Sequence, residues 1–134
     1  GGYTNTYLKD SIKDFVPFER VAPNMAFTDK VVNNFEKEGR VLKKASVFCT
    51  DSISLEYLHL DEINAFDTDL IEMETASFYL MADLLEVPSI ALLVVSDNSA
   101  TGTALVGRTE AEEEKYDEAR KVILPKMIID ICRM

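Results

Sequence analysis

Apolar positions along this chain change period several times, and each change predicts an element. Over residues 29–38, Val31, Val32 and Phe35 recur at helical spacing, which predicts an amphipathic helix with one buried stripe. Thr28 is its expected N-cap, Phe27 and Val32 fit a hydrophobic staple around it, and Gly39 suits the C-terminal cap. Residues 45–50 form a short β-type run. Helical spacing returns over residues 55–64 through Leu55, Leu58 and Glu62, and Asp67-Thr68-Asp69 makes an acidic turn. A strand then runs into a helix around Ile71 to Ala76, helical pattern continues to Glu86, and the most hydrophobic run of the chain, residues 89–95, reads as a strand. This predicts a βαβ unit whose parallel strands end at one sheet edge, the edge where open α/β sheets bind ligands. Residues 109–123 predict a further helix, acidic in its first turns as the helix dipole favours, with Tyr116, Ala119 and Ile123 on one side. Pro125 should kink or restart it, with residues 126–132 continuing. Residues 1–24, with Pro17 and Pro23, are expected to be irregular, and residues 98–107, rich in Ser, Thr and Gly, to form a mobile loop beside a site. Alternation of strand and helix gives the α/β class.

Composition narrows the function classes. A length of 134 residues suits one domain with a real core, and 47% hydrophobic with 28% charged residues is ordinary for a globular protein. The net charge of −10 would repel a phosphate backbone, so nucleic acid is not an expected partner. No apolar run approaches the length that spans a bilayer, so no membrane partner is expected either. Cys49 and Cys132 lie far apart without metal-ligand spacing. They read as reduced, buried thiols of a cytoplasmic protein, and no metal site is expected. The start at Gly1-Gly2, without a basic or apolar leader, reads as a trimmed terminus rather than a signal peptide.

Two segments carry the candidate chemistry. Glu72, Met73 and Glu74 stand where the strand runs into the helix, and Ser96-Asp97 follows the hydrophobic run. A carboxylate near a sugar and an acid near a leaving group make a workable site for cleaving a glycosidic bond. Each has a plainer reading as well. The two glutamates can serve free N–H groups at a helix start, Met73 can be core, and Asp97 can cap a loop. His59, the single histidine, reads as a surface or half-buried residue, and the acidic run at residues 110–114 as a solvated helix start.

Taken together these residues resemble the nucleoside phosphorylase family, which holds purine nucleoside phosphorylases, uridine phosphorylases and methylthioadenosine nucleosidases. Glu72-Met73-Glu74-Thr75-Ala76 resembles its ribose-binding strand-to-helix junction, and Ser96-Asp97 the segment with the acid of purine-specific members. Thr50-Asp51, with Glu56 following, is similar to a block bordering the base pocket. Gly2-Tyr3-Thr4-Asn5-Thr6-Tyr7 resembles the lead into the second half of the fold. Order and spacing fit over nearly the whole chain. The resemblance implies a layered α/β/α arrangement around a central mixed, partly parallel sheet. It also implies one domain over residues 1–134, expected to be an N-terminally truncated part of a larger one.

The resemblance further implies roles. Glu74 would accept hydrogen bonds from the ribose 2′ and 3′ hydroxyls, Met73 would pack on the sugar, and Glu72 would support the ribose or the fold. Asp97 would give a proton to purine N7 with Ser96 orienting it, and Arg108 is a candidate for activating that acid. Thr50, Asp51 and Ile53 are base-pocket candidates. Purine nucleoside and phosphate are the implied partners, with phosphate as co-substrate, no cofactor, and a homo-oligomer expected. Two departures stand out: no glycine-rich turn or arginine segment supplies the family's phosphate site, and Ile53 stands where many members place an aromatic under the base. The leading expectation is a purine nucleoside phosphorylase-like pentosyltransferase, silent as this chain alone. The alternatives are a hydrolytic nucleosidase, a uridine phosphorylase, a nucleotide-binding regulatory domain, or a non-catalytic α/β fragment.

Overall fold

The computed structural model describes residues 20–50, 52–98 and 108–134. The chain divides into two compact units, Gly1–Ile90 and Ala91–Met134. The expected block at Gly2 to Tyr7, Asp51, and all but Asn98 of the expected loop lie outside the described residues.

In the first unit, helix α1 spans Met25–Lys37 and begins earlier than the hydrophobic pattern suggests. Its N-cap is Asn24, whose Oδ1 accepts the Phe27 N–H at 2.9 Å. Thr28 is therefore not the cap. It is buried in the first turn, where its hydroxyl donates to the Asn24 carbonyl at 3.0 Å. Asn is at least as strong a cap as Thr, and its use leaves Thr28 free to pack. Val31 and Phe35 are fully buried while Val32 is half-buried, so the stripe is narrower than expected. Gly39 closes the helix at φ +77°, its N–H bonding Glu36 O (3.0 Å) and the Arg40 N–H bonding Phe35 O (2.9 Å). This pair of bonds is a Schellman cap.

Strand β1 (Val47–Cys49) pairs in parallel with β2 (Leu70–Glu72) in the register Val47↔Leu70, Phe48↔Ile71, Cys49↔Glu72. A carboxylate fastens each end of this short ladder. At its start, Asp69 Oδ2 accepts the backbone N–H and the hydroxyl of Ser46 (2.8 and 3.0 Å). The Ser46 backbone N–H bond, then the hydroxyl bond, hold the Asp69 carboxyl below the usual carboxylate range. At the far end stands Glu72. The crossover between the strands carries α2 (Ile53–Leu58) and α3 (Leu60–Asn64). These replace the single helix expected over residues 55–64, because His59, at φ −123°, leaves helical geometry. The rings of Phe48 and Phe66 meet at 5.3 Å.

Helix α4 (Thr75–Leu84) packs on β1. It stops short of Glu86 in a second Schellman cap: the Glu86 and Val87 N–H groups bond Asp83 O and Ala82 O, each at 3.0 Å. Glu86 occupies the left-handed position at φ 54°, and Pro88 prevents continuation. The run at residues 89–95 is not a strand, which corrects the expected third element. An apolar run becomes a strand only through a ladder partner, and periodicity alone does not provide one. The parallel βαβ connection among the described residues thus lies one element earlier, β1 to β2 through α2 and α3.

The second unit holds α5 (Glu110–Glu118), a π-helical turn (Ala119–Ile123) and α6 (Leu124–Ile131). Thr109 and Glu112 form a reciprocal capping box: Glu112 Oε2 accepts the Thr109 N–H at 2.8 Å, and the Thr109 hydroxyl accepts the Glu112 N–H at 3.4 Å. Pro125 lacks an N–H and its ring would meet the carbonyl four residues back. The turn ahead of it widens so that the Leu124 N–H reaches Ala119 O, and the helix resumes. Met127 is buried on α6. Cys132, expected to be buried, is exposed at the α6 C-cap.

Candidate functional site

The β2–α4 junction divides the plain and the chemical readings between its two glutamates. Glu72 points back into the junction, where its Oε2 accepts the N–H groups of Glu74 and Thr75, each at 2.7 Å. Its Oε1 accepts the Cys49 thiol across the ladder. Burial pushes the Glu72 carboxyl up, but the bonds from Cys49, Glu74 and Thr75 outweigh it, and the group lies below its ordinary range. Glu72 is thus an ionised, buried-side cap for α4, a job for which a carboxylate at a helix start is well suited.

Glu74 is the N-cap residue of α4 and makes no side-chain capping bond. Its carboxylate is exposed and has no hydrogen-bond or ion-pair partner among the described residues. Met73 beside it is 38% exposed, an accessible apolar surface next to a free carboxylate. This pairing can grip a sugar: hydroxyls on the carboxylate, ring carbons on the thioether.

Within the block expected to border the base, Thr50 is buried. Its backbone N–H bonds Glu72 O (2.9 Å) and its hydroxyl donates to Ser52 O (3.2 Å), so Thr50 fastens the strand end. Ile53 opens α2 and is 59% exposed, which leaves it available to a ligand. His59 is exposed and pairs with Glu62 at 3.1 Å.

In the second unit, the Ser96 hydroxyl donates to Asp97 Oδ1 at 3.2 Å, the orienting contact expected of it, and Asp97 is exposed. The Arg108 side chain is 7% exposed. Its guanidinium stacks on Tyr116 at 4.2 Å and lies 3.4 Å from Glu113, and Nη2 has no hydrogen-bond partner among the described residues. An arginine held in this way keeps one donor in reserve.

Cys49 is a buried thiol, as expected, but sequence reasoning missed the hydrogen bonds that it makes. The thiol is buried, yet it donates to Glu72 and accepts the Ala76 N–H at 3.0 Å. Burial first, then the hydrogen bond to Glu72, pushes the thiol up to about 11. The signal was the ladder register that sets Cys49 opposite Glu72, which the sequence does not display.

Among the described residues no three His, Cys, Asp or Glu side chains cluster as a metal site, and no helix is long and apolar enough to cross a membrane. A parallel α/β unit here brings a carboxylate that has no partner among the described residues to a strand-to-helix turn, the edge at which open α/β sheets bind ligands. The profile of the phosphorylase superfamily matches residues 2–127. The chain belongs to that superfamily, and membership implies glycosyl transfer of the nucleoside phosphorylase type.

Proposed function

We infer that this chain serves the phosphorolysis of purine nucleosides, giving a free base and ribose 1-phosphate. The Glu74 carboxylate, without a partner among the described residues because Glu72 and Cys49 satisfy the helix start, is the observation that carries the reading. Glu74 accepts the ribose 2′ and 3′ hydroxyls, and Met73 lies against the ring. A phosphate oxygen attacks C1′ as the C1′–N9 bond breaks through an oxocarbenium-like transition state. The bond's electron pair passes into the purine, and Asp97, oriented by Ser96, delivers a proton to N7. The reserved donor of Arg108 supports its candidacy as the group that engages the acid, and Ile53 offers an aliphatic rather than an aromatic floor to the base. Copies of the chain associate: Phe78 and Met81 on α4 and Leu85 at its C-cap form an exposed apolar stripe.

The test is release of base from inosine, adenosine and uridine by the full-length protein, with and without phosphate. Phosphate-dependent release of hypoxanthine and ribose 1-phosphate is expected. Release of free ribose without phosphate would make the protein a hydrolase, and preference for uridine would remove the purine assignment.

A further inference from the structure

Helix starts leave N–H groups without partners, and they are ordinarily served by the N-cap side chain. At α4 that side chain is Glu74, which contributes nothing to the cap. The donors of Glu74 and Thr75 go to Glu72 and the donor of Ala76 goes to the sulfur of Cys49. The same sulfur donates its proton to Glu72, so one thiol links β1, β2 and the first turn of α4. We propose that Cys49 is a positioning residue for sugar recognition: it fixes the Glu72 carboxylate, and through it the turn that presents Met73 and Glu74, so that Glu74 is spared from capping. Resting on the ribose reading of Glu74, this assigns a functional consequence to a residue that touches no substrate.

The linkage needs a side chain that donates and accepts at once. Serine does both from a shorter reach. Valine keeps approximate volume and does neither, leaving the Ala76 N–H and one Glu72 oxygen without these partners in a half-buried place. A loss of overall stability would lower the active fraction and scale every substrate alike. A misplaced Glu74 would instead lose the advantage that a 2′-hydroxyl confers.

The experiment compares wild type, Cys49→Val, Cys49→Ser and Glu74→Gln in the full-length protein, with two readouts. One is the ratio of kcat/KM for inosine to that for 2′-deoxyinosine; the other is hydrogen exchange at the amides of residues 74–76. Expected are an about tenfold fall of the ratio in Cys49→Val, towards that of Glu74→Gln, faster exchange at the three amides, and substantial recovery of both in Cys49→Ser. Unchanged exchange in Cys49→Val overturns the linkage. Faster exchange with an unchanged ratio, while Glu74→Gln collapses it, overturns the tie to recognition. A flat ratio in Glu74→Gln removes the ribose reading instead, and the exchange data then judge the linkage by themselves. If Cys49→Val does not fold, Cys49→Ala carries both readouts.

Discussion

Glu72 and Glu74 are chemically identical and two positions apart, yet their surroundings give them opposite tasks. A carboxylate that accepts two backbone N–H groups and a thiol is committed to the fold; one with no partner among the described residues is available to a ligand. Glu74→Gln should therefore raise nucleoside KM and lower turnover, since losing a charge-assisted acceptor costs about 1.5–3 kcal/mol, while thermal unfolding stays near wild type. Steady-state kinetics beside a melting curve check both halves. Asp97→Asn keeps shape and removes only the proton, so purine cleavage should fall by about 10²–10⁴-fold, with any uridine cleavage suffering less for want of an N7. Equal losses on both would mark a structural aspartate. Cys49 adds a pH dependence of known sign. Its folded thiol is held up at about 11 against an ordinary 9.0, so the unfolded chain releases this proton first. The contribution is complete below 9.0 and is lost as pH rises towards 11. Urea unfolding at pH 8 and pH 10 should show a steeper loss in wild type than in Cys49→Ser; parallel losses would mean that the thiol does not titrate with folding.

The elements are set by their ends as much as by their apolar faces. Both α1 and α4 finish in Schellman caps, but α1 places Gly39 in the left-handed position and α4 places Glu86 there. A left-handed non-glycine residue costs about 1–2 kcal/mol. Glu86→Gly should accordingly stabilise the protein, and Gly39→Ala, which meets open space and so suffers only the backbone term, should destabilise it by a similar amount. Denaturant midpoints at constant m-value read both signs. Capping chemistry was legible for Gly39 and for the acidic start after Thr109, because those residues act within a few positions of themselves. It was not legible at α4, whose cap is delivered from β2 and β1. Residues 89–95 mislead for the same reason: their composition suits a strand, and the ladder among the described residues is made by β1 and β2.

At the scale of the whole molecule, a chain of 15.1 kDa and net charge −10 leaves large apolar side chains exposed on α4. Association through the Phe78, Met81 and Leu85 stripe predicts a light-scattering mass above that of one chain, reduced towards it by Phe78→Lys with Leu85→Lys. A monomer in wild type would leave the stripe without this role. What the sequence determined by itself was local or compositional: the α/β class, the strand-to-helix junction at Glu72 to Ala76, the Gly39 cap, the acidic helix start after Thr109, and the superfamily resemblance that the profile match over residues 2–127 bears out. Tertiary structure alone decided which glutamate is free. That choice follows from the register that sets Cys49 opposite Glu72, and a parallel register joins residues far apart in the chain, whose pairing no local pattern encodes.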